Sequence, residues 1–332
     1  MEQMKIDSAR PKVSVVVPVY NAESYIEKCC RSLFEQTLDS MEYIFVDDCS
    51  PDNSIEIVKR TLQDYPHRCN QVLFLRHETN QRVARTRQDG VDVATGEYLI
   101  HCDSDDWTDK QMYEQMYNAA KEHGADIVGC NIAVEYGERT RVAKFAYAEE
   151  TKQNFCYDVG PIYGSLNNKL VRRSIITDNN IRFYEDINMG EDYGVMFRCR
   201  FFSNKTVILP HAFYHYNQLN TASIVHNFKL QHCQSIVDCV GNISKFIEEQ
   251  GCAKDCQAGV NYLKFQSKQY LLIYRDIRDV KLWRSIYPEC NARVWQYDTS
   301  LYLKVVASLA NIGAYRVANW ILALKDKINQ LR

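Results

Sequence analysis

Residues 97–107 read EYLIHCDSDDW, an apolar run that ends in three carboxylates within four positions. Tyr98, Leu99 and Ile100 have the character of a buried strand. The end of such a strand is a costly place for Asp103, Asp105 and Asp106 to stand unpaired, and the three repel one another. Either the cluster is a solvated turn, or a positive charge belongs beside it. The stretches on both sides decide where in a fold this strand end would lie.

Upstream, KVSVVVPVYN (12–21) is a β-branched run closed by Pro18 and Asn21, as in a buried parallel strand. Ile26, Cys29, Cys30, Leu33 and Phe34 then recur on one helical face. EYIFVDD (42–48) is a second strand, and SPDNSIEIVKRTL (50–62) starts a helix behind an Asp/Asn cap. QVLFLRH (71–77) is a third strand, VARTRQDGVDVA (83–94) a helix, and EYLIHCD (97–103) the fourth strand. Downstream, TDKQMYEQMYNAAKEHG (108–124) is a helix stopping at Gly124, and ADIVGCN (125–131) is a fifth strand. This alternation predicts an α/β fold, a mostly parallel sheet flanked by helices on both faces. Ligands of such sheets bind beyond the carboxyl ends of the strands, where Asn21, Asp47, Asp48 and Asp103 all fall.

Residues 135–225 are less regular, with strands expected at 169–172 and 206–216 and a helix from Glu191 to Phe202. From Phe228 onward the pattern is helical. The expected division is a catalytic domain over 1–225 and a helical C-terminal domain over 226–332. No G-x-G-x-x-G follows a strand, which disfavours a dinucleotide site.

The 332 residues carry a formal net charge of −2, so no global field favours a nucleic acid partner. The 13 cysteines form no CxxC pair, and the Cys252/Cys256 spacing has no histidine at zinc-ligand distance. Neither a disulfide framework nor a zinc site is expected, which points to a reducing compartment. The first residues lack a signal-peptide stretch, and no 18-residue apolar span occurs. A cytoplasmic protein is the expectation.

Three acidic clusters carry the chemistry. In VDDCSPDNS (46–54), Asp48 could accept hydrogen bonds from a nucleobase or ribose, while Asp52 or Asn53 could equally be only a helix cap. In DSDD (103–106), Asp103 and Asp105 can reach one hard divalent cation that also holds a diphosphate; the alternative is an acidic turn capped by Asp106 or Thr108. In GEDYGVMFR (190–198), Asp192 is either a general base or, with Glu191, an acid complementing a helix dipole.

In their order along the chain, VSVVVPVYN, IFVDDCSPDNS, ATGEYLIHCDSDDW and GEDYGVMFR resemble the family 2 glycosyltransferases over about residues 12–225. The resemblance implies a GT-A-like, nucleotide-diphospho-sugar transferase fold and a metal-dependent transfer that inverts the anomeric carbon. It implies donor-nucleotide contacts from Pro18, Tyr20, Asn21 and Asp48, and from Asp103 and Ser104. It implies Mn²⁺ or Mg²⁺ on Asp103 and Asp105, and a catalytic base at Asp192 with Glu191 beside it. The partners implied are a nucleotide-diphospho-sugar, of the UDP type, and a glycan or lipid-linked acceptor, as in bacterial cell-surface polysaccharide assembly.

The family's N-x-G-x-x-x-A-R-N-x-G motif stands here as NQRVARTRQDG (80–90), with Arg82 for a common glycine and Gln88 for asparagine. Either Arg82 or Arg87 is a candidate for the donor diphosphate. NNKLVRRS (167–174) and YHYNQLNTASI (214–224) also resemble the family: the first would line the sheet near the acceptor side, the second a loop near the donor diphosphate, with His215 and Ser223 as candidate contacts. Two other readings compete: an inactive nucleotide-sugar-binding or scaffold protein, and a nucleotidyltransferase, which would want a Lys-rich glycine loop that is absent. The apolar tail LYLKVVASLANIGAYRVANWILALKDKINQLR (301–332) is either a helix pair packed on the catalytic domain or a peripheral membrane contact, at the inner face of the plasma membrane.

Overall fold

The computed structural model describes residues 10–144, 156, 161–221 and 223–330. They fall into two compact units, Met1–Ala146 with Gly160–Ser223, and Tyr147–Val159 with Ile224–Arg332.

The first unit begins with the expected alternation: β1 Val13–Val19, α1 Ile26–Phe34, β2 Met41–Asp47, α2 Ser54–Leu62, β3 Val72–Arg76, α3 Arg82–Val93 and β4 Tyr98–His101. There follow β5 Trp107–Thr108, α4 Met112–His123, β6 Ile127–Glu135, β7 Thr140–Ala143, α5 Pro161–Gly164, β8 Lys169–Arg172, α6 Arg173–Asp178, α7 Glu191–Phe202 and β9 Thr206–Asn217. One sheet runs β3-β2-β1-β4-β8-β6-β9-β5, with β7 on β6. The strands β1 to β4 pair in parallel. Beyond β4 the sheet is mixed: β8 is antiparallel to β4 and β6, whereas β9 runs parallel to β6.

Every residue of β2 is buried, as are all those of β1 except Pro18, because helices cover both faces. Val15, Val17, Phe45 and Ile100 pack with α1 and α4 on one side, and Val16, Ile44, Val46 and Leu99 with Val195 and Met196 on the other. Gly90 of α3 lies so close to β1 that an added Cβ would meet Val16 Cγ1 at 2.4 Å. A glycine there lets the helix settle on the sheet.

The helix expected from Thr108 starts instead at Met112, and Thr108 lies with Trp107 in β5. Trp107 and Thr108 pair with His215 and Tyr214, and the Trp107 and His215 rings stack at 5.3 Å. That pairing holds Trp107 and Thr108 extended, and a turn at 110–111 leads into α4 at Met112.

The second unit is helical: α8 Leu230–Glu249, α9 Ala253–Ser267, α10 Tyr270–Ile273, α11 Val280–Ser285, α12 Leu301–Asn311 and α13 Tyr315–Gln330. Its core is built on Phe265, Leu271, Trp283, Val306 and Ala318. Among the described residues no helix is long and apolar enough to cross a membrane.

Candidate active site

The carboxyl ends of β1, β2 and β4 open on one edge of the first unit. At the end of β1, Tyr20 is 51% exposed, and Asn21 takes a left-handed φ of 51° while donating its N–H to Ser50 Oγ at 2.8 Å. Pro18 is half-buried in the strand just before them.

At the end of β2, Asp48 is buried and already engaged. Its Oδ1 accepts the N–H of Gln81 at 2.6 Å, and its Oδ2 accepts the N–H of Arg82 at 2.9 Å. Asp48 thereby caps the start of α3, with His77 Nδ1 2.8 Å from its Oδ1. Asp52 does the local capping: it accepts from Ser50 Oγ and Ser54 Oγ at 2.6 Å each, and from the N–H groups of Ser54 and Glu23. Burial pushes the Asp52 carboxyl up, but these hydrogen bonds outweigh it and hold the group below its ordinary value.

The three acids after β4 have separate fates. Asp106 is 1% exposed; its Oδ2 accepts from the Tyr214 hydroxyl at 2.5 Å and its Oδ1 from the Asn217 N–H at 2.8 Å. Burial, then the charges of Asp105 and Asp103, raise its pKa well above the carboxylate range. Asp106 is part of the fold. Asp105 Oδ2 accepts from Asn220 Nδ2 at 2.8 Å, and burial and the neighbouring Asp103 raise its pKa. Asp103 keeps 31% of its side chain exposed; its Oδ1 accepts from Arg87 Nη2 at 2.7 Å and its Oδ2 from Asn167 Nδ2 at 2.6 Å. Ser104 is buried between them.

Arg87 is the junction. Projecting from the second turn of α3, its side chain is 5% exposed and joins acids that lie far apart in sequence. Nη1 donates to Asp192 Oδ1 and lies 3.9 Å from Glu191 Oε1, while Nη2 holds Asp103. Desolvation opposes the buried guanidinium charge, and the charges of Asp192, Asp103 and Glu191 more than restore it. Arg82, the other candidate, is exposed and takes a left-handed φ of 68° at the first residue of α3. That conformation explains why glycine suits this position. Gln88 ties the neighbourhood together, accepting the Phe183 N–H at 2.8 Å.

Asp192 and Glu191 open α7 behind Gly190, whose φ of 85° turns the chain into the helix. Burial raises both carboxyl groups; for Asp192 the Arg87 charge pulls the other way, and for Glu191 the Asp192 charge adds to the rise. Asp192 Oδ2 also receives the Leu166 N–H at 3.5 Å. A carboxylate held above its usual pKa is a stronger base than a solvated one.

The stretch 167–174 stands out in the sequence by resemblance but without a residue assigned to the site; the loop 165–168 at its start bridges these two acids. Asn167 reaches Asp103, Leu166 reaches Asp192, and the loop is pinned beneath by Lys169. That lysine is 0% exposed and donates to Ser165 O and Asn168 Oδ1 at 2.8 Å each. Burial brings the lysine down to about 7, against smaller upward pulls from Cys130 and Asp192. Asn167 and Asn168 stand just ahead of β8 and Lys169 begins it. His215 is a packing residue here: Nδ1 is 2.7 Å from Glu135 and Nε2 3.2 Å from Asp109. The Ser223 N–H donates to Asn220 O at 3.2 Å, at the end of the unit.

Asp103 and Asp105 are hard oxygen donors of the kind a divalent cation takes, and their present partners are the side chains of Arg87, Asn167 and Asn220. Among the described residues no three His, Cys, Asp or Glu side chains form a complete cage. Two carboxylates suit a metal that takes its remaining ligands from a diphosphate.

The sequence profile of glycosyl transferase family 2 matches residues 14–201, the span from β1 to the end of α7. This chain belongs to family 2 of the glycosyl transferases. A putative glycosyltransferase EpsH of Bacillus subtilis (strain 168) is 32% identical over 247 residues, covering 72% of this chain and 70% of that protein. The poly(ribitol-phosphate) beta-N-acetylglucosaminyltransferase TarS of Staphylococcus aureus (strain Mu50 / ATCC 700699) is 26% identical over 207 residues, 62% of this chain and 35% of the other. Among solved structures, S. aureus TarS 1-349 in complex with UDP-GlcNAc superposes with a TM-score of 0.68 at 21% identity, covering 92% of this chain and 90% of that one. At that identity the likeness speaks for the fold: a GT-A-like family 2 glycosyltransferase with a helical C-terminal region.

Proposed function

We propose that this family 2 enzyme transfers a sugar, with inversion, from a UDP-sugar to a hydroxyl of a glycan or lipid-linked oligosaccharide on the cytoplasmic side of a membrane. The carrying observation is the Arg87 junction, which sets Asp103 at the end of β4 within one guanidinium of Asp192 at the start of α7. A donor diphosphate at the first and an acceptor hydroxyl at the second would meet there. TarS, a solved structure with this fold, is described in complex with UDP-GlcNAc, and a mannosyltransferase of Pyrobaculum calidifontis, with a TM-score of 0.57, in complex with GDP-Man and Mn²⁺. Both support a nucleotide-diphospho-sugar donor for this fold.

In this reading Tyr20, with Pro18 and Asn21, receives the nucleobase beside Asp48, and Ser104 lies along the donor. Asp192 accepts the acceptor hydroxyl's proton as that oxygen bonds to the anomeric carbon. The bond from that carbon to the diphosphate oxygen breaks, and its electron pair leaves with the nucleoside diphosphate. Glu191, buried beside Asp192, keeps the pair's proton affinity high. Mn²⁺ or Mg²⁺ on Asp103 and Asp105 would supply neutralisation of the leaving diphosphate. Arg87 orients Asp192 and Asp103 before the donor enters. Residues 1–225 would form the catalytic domain and 226–332 the helical one.

The test is a thermal shift against nucleoside diphosphates and their sugars, with and without manganese. A ligand at 100 times its Kd adds about 2.7 kcal/mol of stability. Manganese-dependent stabilisation by uridine compounds is expected; the same shift from guanosine compounds alone would overturn the UDP assignment.

A further inference from the structure

The second unit buries one face of its last helix and leaves the other in water. Ala318 and Leu322 of α13 are 0% and 2% exposed, packed in the helical core. Val317 is 49% exposed, Trp320 66%, Leu324 44% and Ile328 41%. Steps of three, four and four residues set these four on a single stripe. The charges beside the stripe have one sign. Arg316 and Lys327 are exposed, whereas the helix's acid, Asp326, is bound by Arg278 at 2.8 and 3.1 Å. The carboxylate is thus neutralised, and the unpaired charges of α13 are cationic.

We propose that this stripe of α13 docks on an anionic lipid bilayer, lying in the plane of the interface. The inference deepens the acceptor reading above and rests on it for its purpose, since a lipid-linked acceptor lies at such a surface. Its structural argument stands separately. An apolar stripe with a tryptophan, flanked by arginine and lysine, matches the interface between acyl chains and anionic headgroups. A second copy of the chain fits less well. A two-fold contact would bring each Arg316 toward the partner helix's basic end with no acid to compensate. Four side chains also fall short of the roughly 800 Å² per partner that a stable dimer buries.

The experiment is co-sedimentation of the full chain with vesicles of phosphatidylcholine alone or with about 30% phosphatidylglycerol, at low and high salt. Binding to the anionic vesicles is expected to be roughly tenfold or more tighter than to the neutral ones, and to weaken with salt. The exposed double variant Trp320→Ser, Leu324→Ser should lose binding roughly tenfold while melting as the parent does and binding donor equally. Equal sedimentation of parent and variant, or none with either vesicle, would overturn the proposal. So would a dimer by light scattering that the variant abolishes, which would assign the stripe to a second copy. Because donor binding is measured on the same samples, failure at the vesicle and failure of the donor reading are told apart.

Discussion

Two acidic loops follow buried strands of the same sheet, and they hold their charges differently. After β2, Asp47, Asp48 and Asp52 are satisfied largely by backbone N–H groups: those of Ser50, Gln81, Arg82, Ser54 and Glu23. After β4, Asp103 and Asp105 are held largely by side chains, those of Arg87, Asn167 and Asn220, while Asp106 takes the Asn217 N–H. A backbone donor cannot leave without moving the fold. A side-chain donor can rotate aside when a ligand arrives. The first loop is therefore scaffold around a binding edge, and the second holds charges that can change partners.

Several substitutions would break or sharpen this contrast. The largest effect belongs to Asp192, the acid on the far arm of Arg87. Asp192→Asn should lower the transfer rate about 10³-fold, within the range for a lost general base, with donor affinity kept. Transfer near the parent rate would place the base elsewhere. Because burial raises the Asp192 pKa, its ionised fraction, and with it the rate, should climb with pH through a midpoint above the ordinary carboxylate value. Asp192→Asn should abolish that limb of the profile.

Asp103→Asn comes next. Manganese-dependent donor binding, read by calorimetry, should weaken about 10²-fold, as expected when one of two metal carboxylates goes. Stability should fall by about 1–3 kcal/mol, because the buried Arg87 guanidinium loses one of the charges that compensate it. Asp52→Ala tests the opposite loop: a loss of about 1–2 kcal/mol in chemical denaturation is expected, with kcat/KM per folded molecule unchanged. Its carboxyl is held below the ordinary value, so the stability it contributes is present above the unfolded pKa and fades as pH falls through the folded one. If Asp52→Ala instead abolished donor binding and left stability alone, the scaffold assignment would fail.

Much of the fold could be read from period and punctuation. The run from Glu191 to Phe202 was expected as a helix and is one, because Gly190 and the acids mark its start. The alternation over 12–101 gave β1 to β4 within a few residues, since buried parallel strands are continuous apolar runs. The mixed half was less legible: β5 is two residues long, and its existence depends on His215 and Tyr214 more than one hundred residues away. The same limit applies to the site. Three acidic clusters stood out as candidates, but which acid of DSDD is structural depends on Tyr214 and Asn217. Asn167 falls in a stretch that resembles the family, but nothing local to it points to Asp103, whose Oδ2 accepts from its Nδ2. Pairings across such distances leave no local period.

The smallest effect separates the two arginines. Arg82 sits at φ 68°, where a side chain costs on the order of 1 kcal/mol and glycine costs little. Arg82→Gly should therefore raise stability by somewhat less than 1 kcal/mol, since glycine's freer unfolded chain returns part of the gain. The variant keeps the N–H that Asp48 accepts at 2.9 Å, so the backbone-held loop stays intact. Donor affinity then reports on the side chain alone. Unchanged affinity would leave Arg87 as the guanidinium that trades Asp103 for the diphosphate. A tenfold loss would give that contact to Arg82, and Arg87 would be a fixed strut between Asp103 and Asp192. In that case its two carboxylates, though held by a side chain, would be as immobile as those held by N–H groups. The contrast between the loops would then rest on Asp105 and Asn220 alone.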